Sequence, residues 1–394
     1  MGPALTAALS MVMIMTGVLG VVLGAASTQG LTTGETAAWI ITIYGVAGGL
    51  GLLLTVRYRQ PLPLTGNVFI VIFVAGLGTD FSWPELVGAA MAAGAVVLVL
   101  GALGLTGRLT ALLPAPIVYG LLAGAVLPFF VDMFTELGSQ PLLVGGMLVA
   151  YLLAQWKLAP RVPAILLALL VGLLLAGLGG DLRATPAAGV LTAPTFTLPD
   201  FSWSAIITVT PILVVLITVQ ANAPSVVILR SQGYRPPERV VTVVSGAGTL
   251  GSSLLGPTGV SLALPLTALA AGPGAGPRAV RHWSVYVAAG YAIVVALLAG
   301  LAAQLATVLP GSLLVAVVGL AVVAVLSHAL REAVLGPLVW GPLFALAISL
   351  SELSLLGLGP FFWAIAGGVT ASLLLERTGW RRPRSGQADG GGGS

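Results

Sequence analysis

Apolar runs long enough to cross a bilayer recur along the whole 394-residue chain, and charged residues fall almost entirely between them. A full span needs roughly 20 apolar residues, and windows bounded by charged or Pro/Gly-rich loops give about fourteen segments. They lie near 4–27, 36–56, 63–78, 84–106, 112–131, 141–157, 162–180, 204–227, 238–255, 257–272, 279–307, 310–328, 333–350 and 360–377. With 58 % hydrophobic and 7 % charged residues, soluble globular and disordered chains are both excluded. The expectation is an all-α polytopic membrane protein. The first segment lacks a basic leader, and Ala25-Ala26-Ser27 is only a weak cleavage-site look-alike, so it reads as a membrane helix rather than a signal peptide.

Basic residues test this count. Arg57 and Arg59 follow segment 2, Arg108 segment 4, Lys157 and Arg161 segment 6, and Arg230, Arg235 and Arg239 segment 8. Arg278 and Arg281 follow segment 10, Arg331 segment 12, and Arg377, Arg381, Arg382 and Arg384 segment 14. Only Arg183 falls on the other side, so 15 of the 16 Lys+Arg obey the positive-inside rule with both termini cytoplasmic in a plasma (inner) membrane. The net charge of +4 thus follows from topology. Nucleic-acid binding would need a basic face with stacking aromatics, whereas these charges are dispersed over loops.

Residues 1–180 and 204–379 each hold seven segments, and an odd number per repeat forces opposite orientations, the inverted-repeat architecture of secondary transporters. In Asp80-Phe81-Ser82-Trp83-Pro84 and Asp200-Phe201-Ser202-Trp203, Asp or Ser reads as a helix N-cap and Trp as an interfacial anchor. Residues 385–394 read as a flexible linker or cloning scar.

Segments 3 and 10 are short and broken at matching places, by Pro63-Leu64-Thr65-Gly66-Asn67 and by Pro257-Thr258-Gly259-Val260-Ser261. Pro and Gly at membrane depth are tolerated where the backbone is buried or lines a cavity, and matched interruptions point to a midplane binding site. Each reads as an extended entry into a half-helix whose free N–H groups face the cavity. Such an end favours an anion by about 0.3–1 kcal/mol when exposed and up to about 2 when partly buried. Two Pro-kinked helices with back-bonded Thr are the plainer reading.

Segment 8 adds Gln220 and Asn222 beside Pro224, polar groups that are costly in an apolar helix unless they meet partners or a wet cavity. Bridging between packed helices is the alternative there. Segment 1 offers Thr16 among Met11, Met13 and Met15, a spacing that suits plain core filling. Eleven of the 12 acidic residues map to loops or helix ends, which leaves Glu352, near the outer end of segment 13, as a weak proton-coupling candidate that reads better as interfacial. His282 and His328 fall at cytoplasmic segment ends and read as solvated loop histidines. With two distant His and no Cys, no metal cluster, cofactor site or nucleophile–base pair is indicated, and an enzyme is disfavoured. Gly45 and Gly48 permit close helix packing, within one protomer or across a homodimer.

From Asn222-Ala223-Pro224-Ser225 through Leu229-Arg230-Ser231-Gln232-Gly233-Tyr234-Arg235-Pro236-Pro237 the chain resembles the benzoate:proton symporter family. Further similarity lies at Gly256-Pro257 through Gly276-Pro277, at Arg281-His282-Trp283 and at Gly357-Leu358-Gly359-Pro360-Phe361-Phe362-Trp363. It is weaker in the first half, chiefly around 104–131. The resemblance implies the seven-plus-seven fold shared with nucleobase symporters and sulfate/bicarbonate transporters, with segments 1–4 and 8–11 as core domain and 5–7 with 12–14 as gate. It also implies substrate between segments 3, 8 and 10. Nucleobase symporters carry glutamates where this chain has Gln220 and Val260, and the benzoate family usually has Phe-Gly-Ala-His where this chain has Thr258-Gly259-Val260-Ser261.

The expected function is secondary transport of a small organic anion, a benzoate-like carboxylate with proton symport, by elevator-like movement. Thr65, Gly66, Asn67, Thr258, Gly259 and Ser261 would donate to the carboxylate, Gln220 and Asn222 would orient it, and Phe69 would meet a ring. Inorganic-anion exchange or uniport is the rival.

Overall fold

The computed structural model describes residues 2–78, 80–105, 114–158, 163–182, 193–335, 337–351, 353, 355 and 358–376. Its first half runs α1 (Gly2–Thr28), α2 (Thr33–Tyr58), β1 (Leu64–Gly66), α3 (Val68–Gly76), α4 (Trp83–Leu103), α5 (Ala115–Ser139), α6 (Pro141–Lys157) and α7 (Ala164–Gly179). The second half runs α8 (Trp203–Ser231), α9 (Glu238–Ser252), β2 (Val260–Leu262), α10 (Leu264–Ala271), α11 (His282–Leu297), α12 (Ala299–Val308), α13 (Gly311–Val334), α14 (Trp340–Ser349) and α15 (Pro360–Leu375). Seven described helical runs are long and apolar enough to cross a membrane: α1, α2, α4, α5, α8, Arg278–Leu297 and α13. The remaining elements are shorter. The sequence reading puts one segment over 279–307, whereas the chain breaks there at Leu298 (φ −96°, ψ 14°) and α12 turns to pack on α2.

Small residues set the closest crossings. A Cβ at Gly94 would fall 2.8 Å from Leu250 Cα, and one at Gly101 would fall 2.8 Å from the Val243 nitrogen, so α4 and α9 meet backbone to backbone. Gly45 and Gly48 face Ala296 and Ala292 of α11, at 2.9 Å for an added Cβ in each case, so that pair packs within the chain. α5 packs against α13 and α14, and α14 against α15.

The arginine-bearing ends gather at one end of the bundle. Gln60 Nε2 donates to the Arg235 carbonyl (3.0 Å), Arg281 Nε to the Gly276 carbonyl (2.7 Å), and Arg278 and Arg239 to the carbonyls of Gly233 and Ala102. Residues after 193 tie the opposite ends together: the Thr195, Thr197 and Asp200 amides donate to the carbonyls of Gly34, Leu254 and Pro84. Ser82 forms a capping box with Glu85, and the Ser202 hydroxyl accepts from the Ala205 amide at 3.5 Å. Trp203 is 78 % exposed, as a membrane anchor should be, but Trp83 is only 9 % exposed because it stacks edge-on with Trp39 at 5.1 Å.

Glu376 fixes the start of α14. Its carboxylate accepts from the amides of Val339, Trp340 (2.9 Å) and Gly341 (3.3 Å) and from the Ser372 hydroxyl (2.8 Å). Burial pushes this carboxyl up, but those donors outweigh it and hold its pKa below the ordinary glutamate value. A carboxylate whose pKa is lowered in the folded state adds stability above its unfolded pKa and loses it as pH falls through the folded one. Glu376→Gln is therefore expected to cost about 1–3 kcal/mol at neutral pH. Thermal unfolding in detergent should show that gap narrowing under acid; a gap independent of pH would assign it to packing.

Candidate substrate-binding site

The two broken segments meet. β1 and β2 pair antiparallel in the register Leu64↔Leu262, Thr65↔Ser261 and Gly66↔Val260. The Asn67 amide donates to the Gly259 carbonyl (2.8 Å) and the Ala263 amide to the Pro63 carbonyl (3.0 Å), which continues the ladder at both ends. Each strand satisfies the other's backbone where no water can. α3 and α10 then start immediately after their strands and carry the first turns away from the pairing.

The two helix starts are capped differently. Asn67 Oδ1 accepts from the Phe69 amide at 3.0 Å, which makes Asn67 the N-cap of α3. α10 has no side-chain cap, and Pro265 supplies no donor, so the first turn offers the Leu264 and Leu266 amides. Its other end is neutralised by Arg281, whose guanidinium donates to the Ala271 carbonyl, a favourable place for a cation.

α8 and α2 supply the walls. Leu216–Asn222 of α8 and Ile41–Val46 of α2 are π-turns, which widen a helix and recur at functional sites. The turn in α8 lies just before Pro224, whose ring and missing N–H disturb the preceding ladder. Asn67 Nδ2 reaches the Leu216 carbonyl (3.1 Å), Ser261 Oγ (3.3 Å) and Gln220 Oε1 (3.4 Å), so one side chain joins both broken segments to α8. Asn67 and Gln220 are 5 % and 3 % exposed.

A cavity of ≈ 750 Å³ opens in front of the pairing. Thr65, Gly66, Asn67, Phe69, Gln220 and Ser261 line it, together with the first turn of α10. Its remaining walls are mostly aliphatic and come from α1, α2, α6, α7 and α13. Among the described lining residues there is no carboxylate, lysine or arginine.

The other four residues singled out from the sequence lie behind the pairing rather than on the cavity. Asn222 braces β2, with Oδ1 accepting from the Leu262 amide (2.8 Å) and Nδ2 donating to Ser245 Oγ (3.1 Å). Val260 is fully buried and its amide donates to Thr249 Oγ1 at 2.9 Å. A Cβ on Gly259 would run into Ile70 and Ile217, and the buried Thr258 hydroxyl has no hydrogen-bond partner among the described residues. The Pro257 carbonyl accepts from Trp39 Nε1 (2.8 Å), and Gly256 before it takes φ 140°, where only glycine fits against Trp39. Thr16 bonds to the Tyr291 hydroxyl at 2.7 Å and does not line the cavity. Glu352 lies outside the described residues, as do residues 385–394.

His328 corrects the sequence reading. α13 continues to Val334 instead of ending at 328, so His328 is inside a helix and lines the cavity rather than a solvated loop. A segment boundary drawn at the first ionisable residue hid it. Its spacing with Leu320, Ala321, Ala324 and Val325, all on the cavity, is the signal that places it on that face. His282 opens α11, half-buried beside Trp283 and Tyr286.

Comparison with known proteins gives the family and the fold. Residues 2–374 match the family model of the benzoate membrane transport protein, BenE. An Escherichia coli K12 protein named inner membrane protein YdcO is 30 % identical over 377 residues, covering 90 % of this chain and 94 % of its own. The benzoate membrane transport protein of Acinetobacter baylyi is 25 % identical over 354 residues, covering 89 % of each. In fold, the chain is similar to the transmembrane domain of the cyanobacterial bicarbonate transporter BicA, with a TM-score of 0.62 at 18 % identity over 94 % of this chain and 96 % of that one. The murine anion transporter Slc26a9 in its inward-facing state gives 0.62 at 14 % identity over 95 % and 68 %. A match over nearly the whole chain, to a model whose members transport solutes rather than catalyse reactions, means that this protein belongs to the benzoate membrane transport protein family.

Proposed function

We propose that the protein carries a benzoate-like aromatic carboxylate across the inner membrane in symport with a proton. The observation that carries this reading is the cavity itself, ≈ 750 Å³, apolar over most of its wall and faced by two half-helix N-termini with no acidic residue among the described lining. The carboxylate sits against the donors of Thr65, Ser261, Gln220 and the α10 first turn, and its ring lies toward Phe69 and the aliphatic wall. Thr258, Gly259, Val260 and Asn222 hold β2 in place from behind. An inorganic anion would fill little of such a cavity, which sits within the range of about 300–1,000 Å³ typical of organic ligands.

Transport proceeds by elevator-type alternating access in a fourteen-segment inverted repeat, with residues 1–180 and 204–379 as the repeats and both termini cytoplasmic. Segments 1–4 and 8–11 move as the core against a gate of 5–7 and 12–14. The close crossings of α4 with α8 and α9, and of α5 with α13 and α14, support that division. The names of the two curated relatives support the membrane and the substrate.

The test is uptake of labelled benzoate into proteoliposomes, with and without an inward proton gradient and with the membrane potential clamped. Gradient-driven accumulation that unlabelled benzoate abolishes is expected. Uptake no greater than in empty liposomes, by protein shown to be folded, overturns the substrate; uptake that bicarbonate, sulfate or chloride suppresses and benzoate does not would favour an inorganic-anion exchanger.

A further inference from the structure

On the cavity wall beside Phe69, one ionisable ring has a nitrogen without a hydrogen-bond partner among the described residues. His328 of α13 lines the cavity, and its Nε2 is buried with no hydrogen-bond partner among the described residues. The ring is held edge-on between Phe69, at 6.2 Å and 72°, and Tyr119 of α5, at 5.4 Å and 83°. Two aromatic contacts fix its plane without using Nε2. An unpaired buried nitrogen costs free energy, so its persistence there calls for a ligand.

We propose that His328 takes up a proton when the carboxylate binds and acts as its counter-charge from beside Phe69, at the start of α3. The idea rests on the organic-anion reading above. The balance is simple: one proton passes from bulk water to the imidazole, no bond of the substrate changes, and the neutral pair then occupies the cavity.

The surroundings fit a titration governed by the ligand. α13 packs against α1, α3, α5, α6, α7 and α14. Of these, α1, α3, α7 and α14 carry no ionisable side chain, α5 brings Tyr119 with Asp132 and Glu136 more than three turns farther on, and α6 brings Tyr151 and Lys157. Tyr44 of α2 also lines the cavity, with its hydroxyl donating to the Met15 carbonyl at 2.6 Å. On α13 itself Arg331 is exposed and Glu332 half-buried, both within about one turn. No fixed charge among the described residues therefore lines the cavity beside His328. Imidazole is the side chain whose charge ordinarily changes between about pH 5 and 8.

Benzoate binding to the purified protein, measured by calorimetry at pH 5.5 and pH 8 in buffers of different ionisation enthalpy, tests this. Wild type is expected to bind about tenfold tighter at pH 5.5 and to absorb close to one proton per benzoate at pH 8. His328→Gln should bind more weakly than wild type at both values, with little dependence on pH, and absorb no proton; His328→Asn gives the same reading should glutamine not fold. A variant that keeps the wild-type pH dependence and proton uptake overturns the role of His328 alone. Wild type that binds no benzoate at either pH overturns the substrate reading and this proposal with it.

Discussion

Replacing Asn67 with alanine is expected to lower stability by about 2–3 kcal/mol and to weaken benzoate binding as well. The side chain does two jobs at once. Its oxygen caps α3 through the Phe69 amide, and its nitrogen donates to the Leu216 carbonyl, Gln220 and Ser261. Losing a cap costs about 0.5–2 kcal/mol, and stripping a buried acceptor of its donor costs about 1–3. These terms are not independent, so a combined loss of about 2–3 kcal/mol in stability is the reasonable expectation, and binding weakens because Gln220 and Ser261 on the cavity lose their brace. Asn67→Ser separates the two jobs, because a hydroxyl caps a helix well but is too short to reach Gln220. It should recover part of the stability and little of the transport. If Asn67→Ala and Gln220→Ala both left uptake unchanged, the site would have to lie elsewhere.

Gly66→Ala should be more damaging still. An added Cβ would sit 2.7 Å from Ile43 Cα and 2.8 Å from Ile43 Cγ2. Side chains can rotate away from such an overlap, but a main-chain Cα held inside a π-turn cannot. β1 must therefore shift away from α2 and carry Asn67 and the start of α3 with it. Overpacking of this kind costs about 1–3 kcal/mol, and the displacement of the helix end falls directly on the anion. Gly259→Ala is the control. Its Cβ would meet side-chain carbons of Ile70 and Ile217 rather than main chain, so it should lose less stability and retain measurable uptake. Circular-dichroism melts with benzoate uptake, run on both variants, compare them; equal loss in the two would mean that backbone contact at Ile43 is not what matters.

Much of this site was legible because a Pro followed closely by Thr-Gly breaks an apolar run at matching places in the two halves. Pro63 and Pro257 marked the breaks, and Thr65, Asn67, Gln220 and Ser261 followed from them as the polar residues at one depth. The pairing of β1 with β2 was not legible. Three residues carry no alternation that a window can detect, and their partner is remote in the chain. The π-turns were hidden for a related reason: they arise where a helix yields to what packs on it, and Ile41–Val46 has the composition of any apolar helix. The difference between residues that line the cavity and those behind it, such as Asn222 and Val260, needs the third dimension. His328 was misplaced because an apolar run was ended at its first ionisable residue.

The short ladder between β1 and β2 also bears on how the molecule is made. Ser261 is separated from Asn67 by 194 residues, so at synthesis the first broken segment reaches the bilayer long before its hydrogen-bonding partner exists. Until then Leu64–Gly66 has unpaired amides and carbonyls that lipid will not tolerate. This stretch must wait in a wetter place, at the interface or within the insertion machinery, while six more helices are threaded. Assembly of the binding site is then a late event that closes the fold, and a chain truncated before β2 is a ready target for membrane quality control.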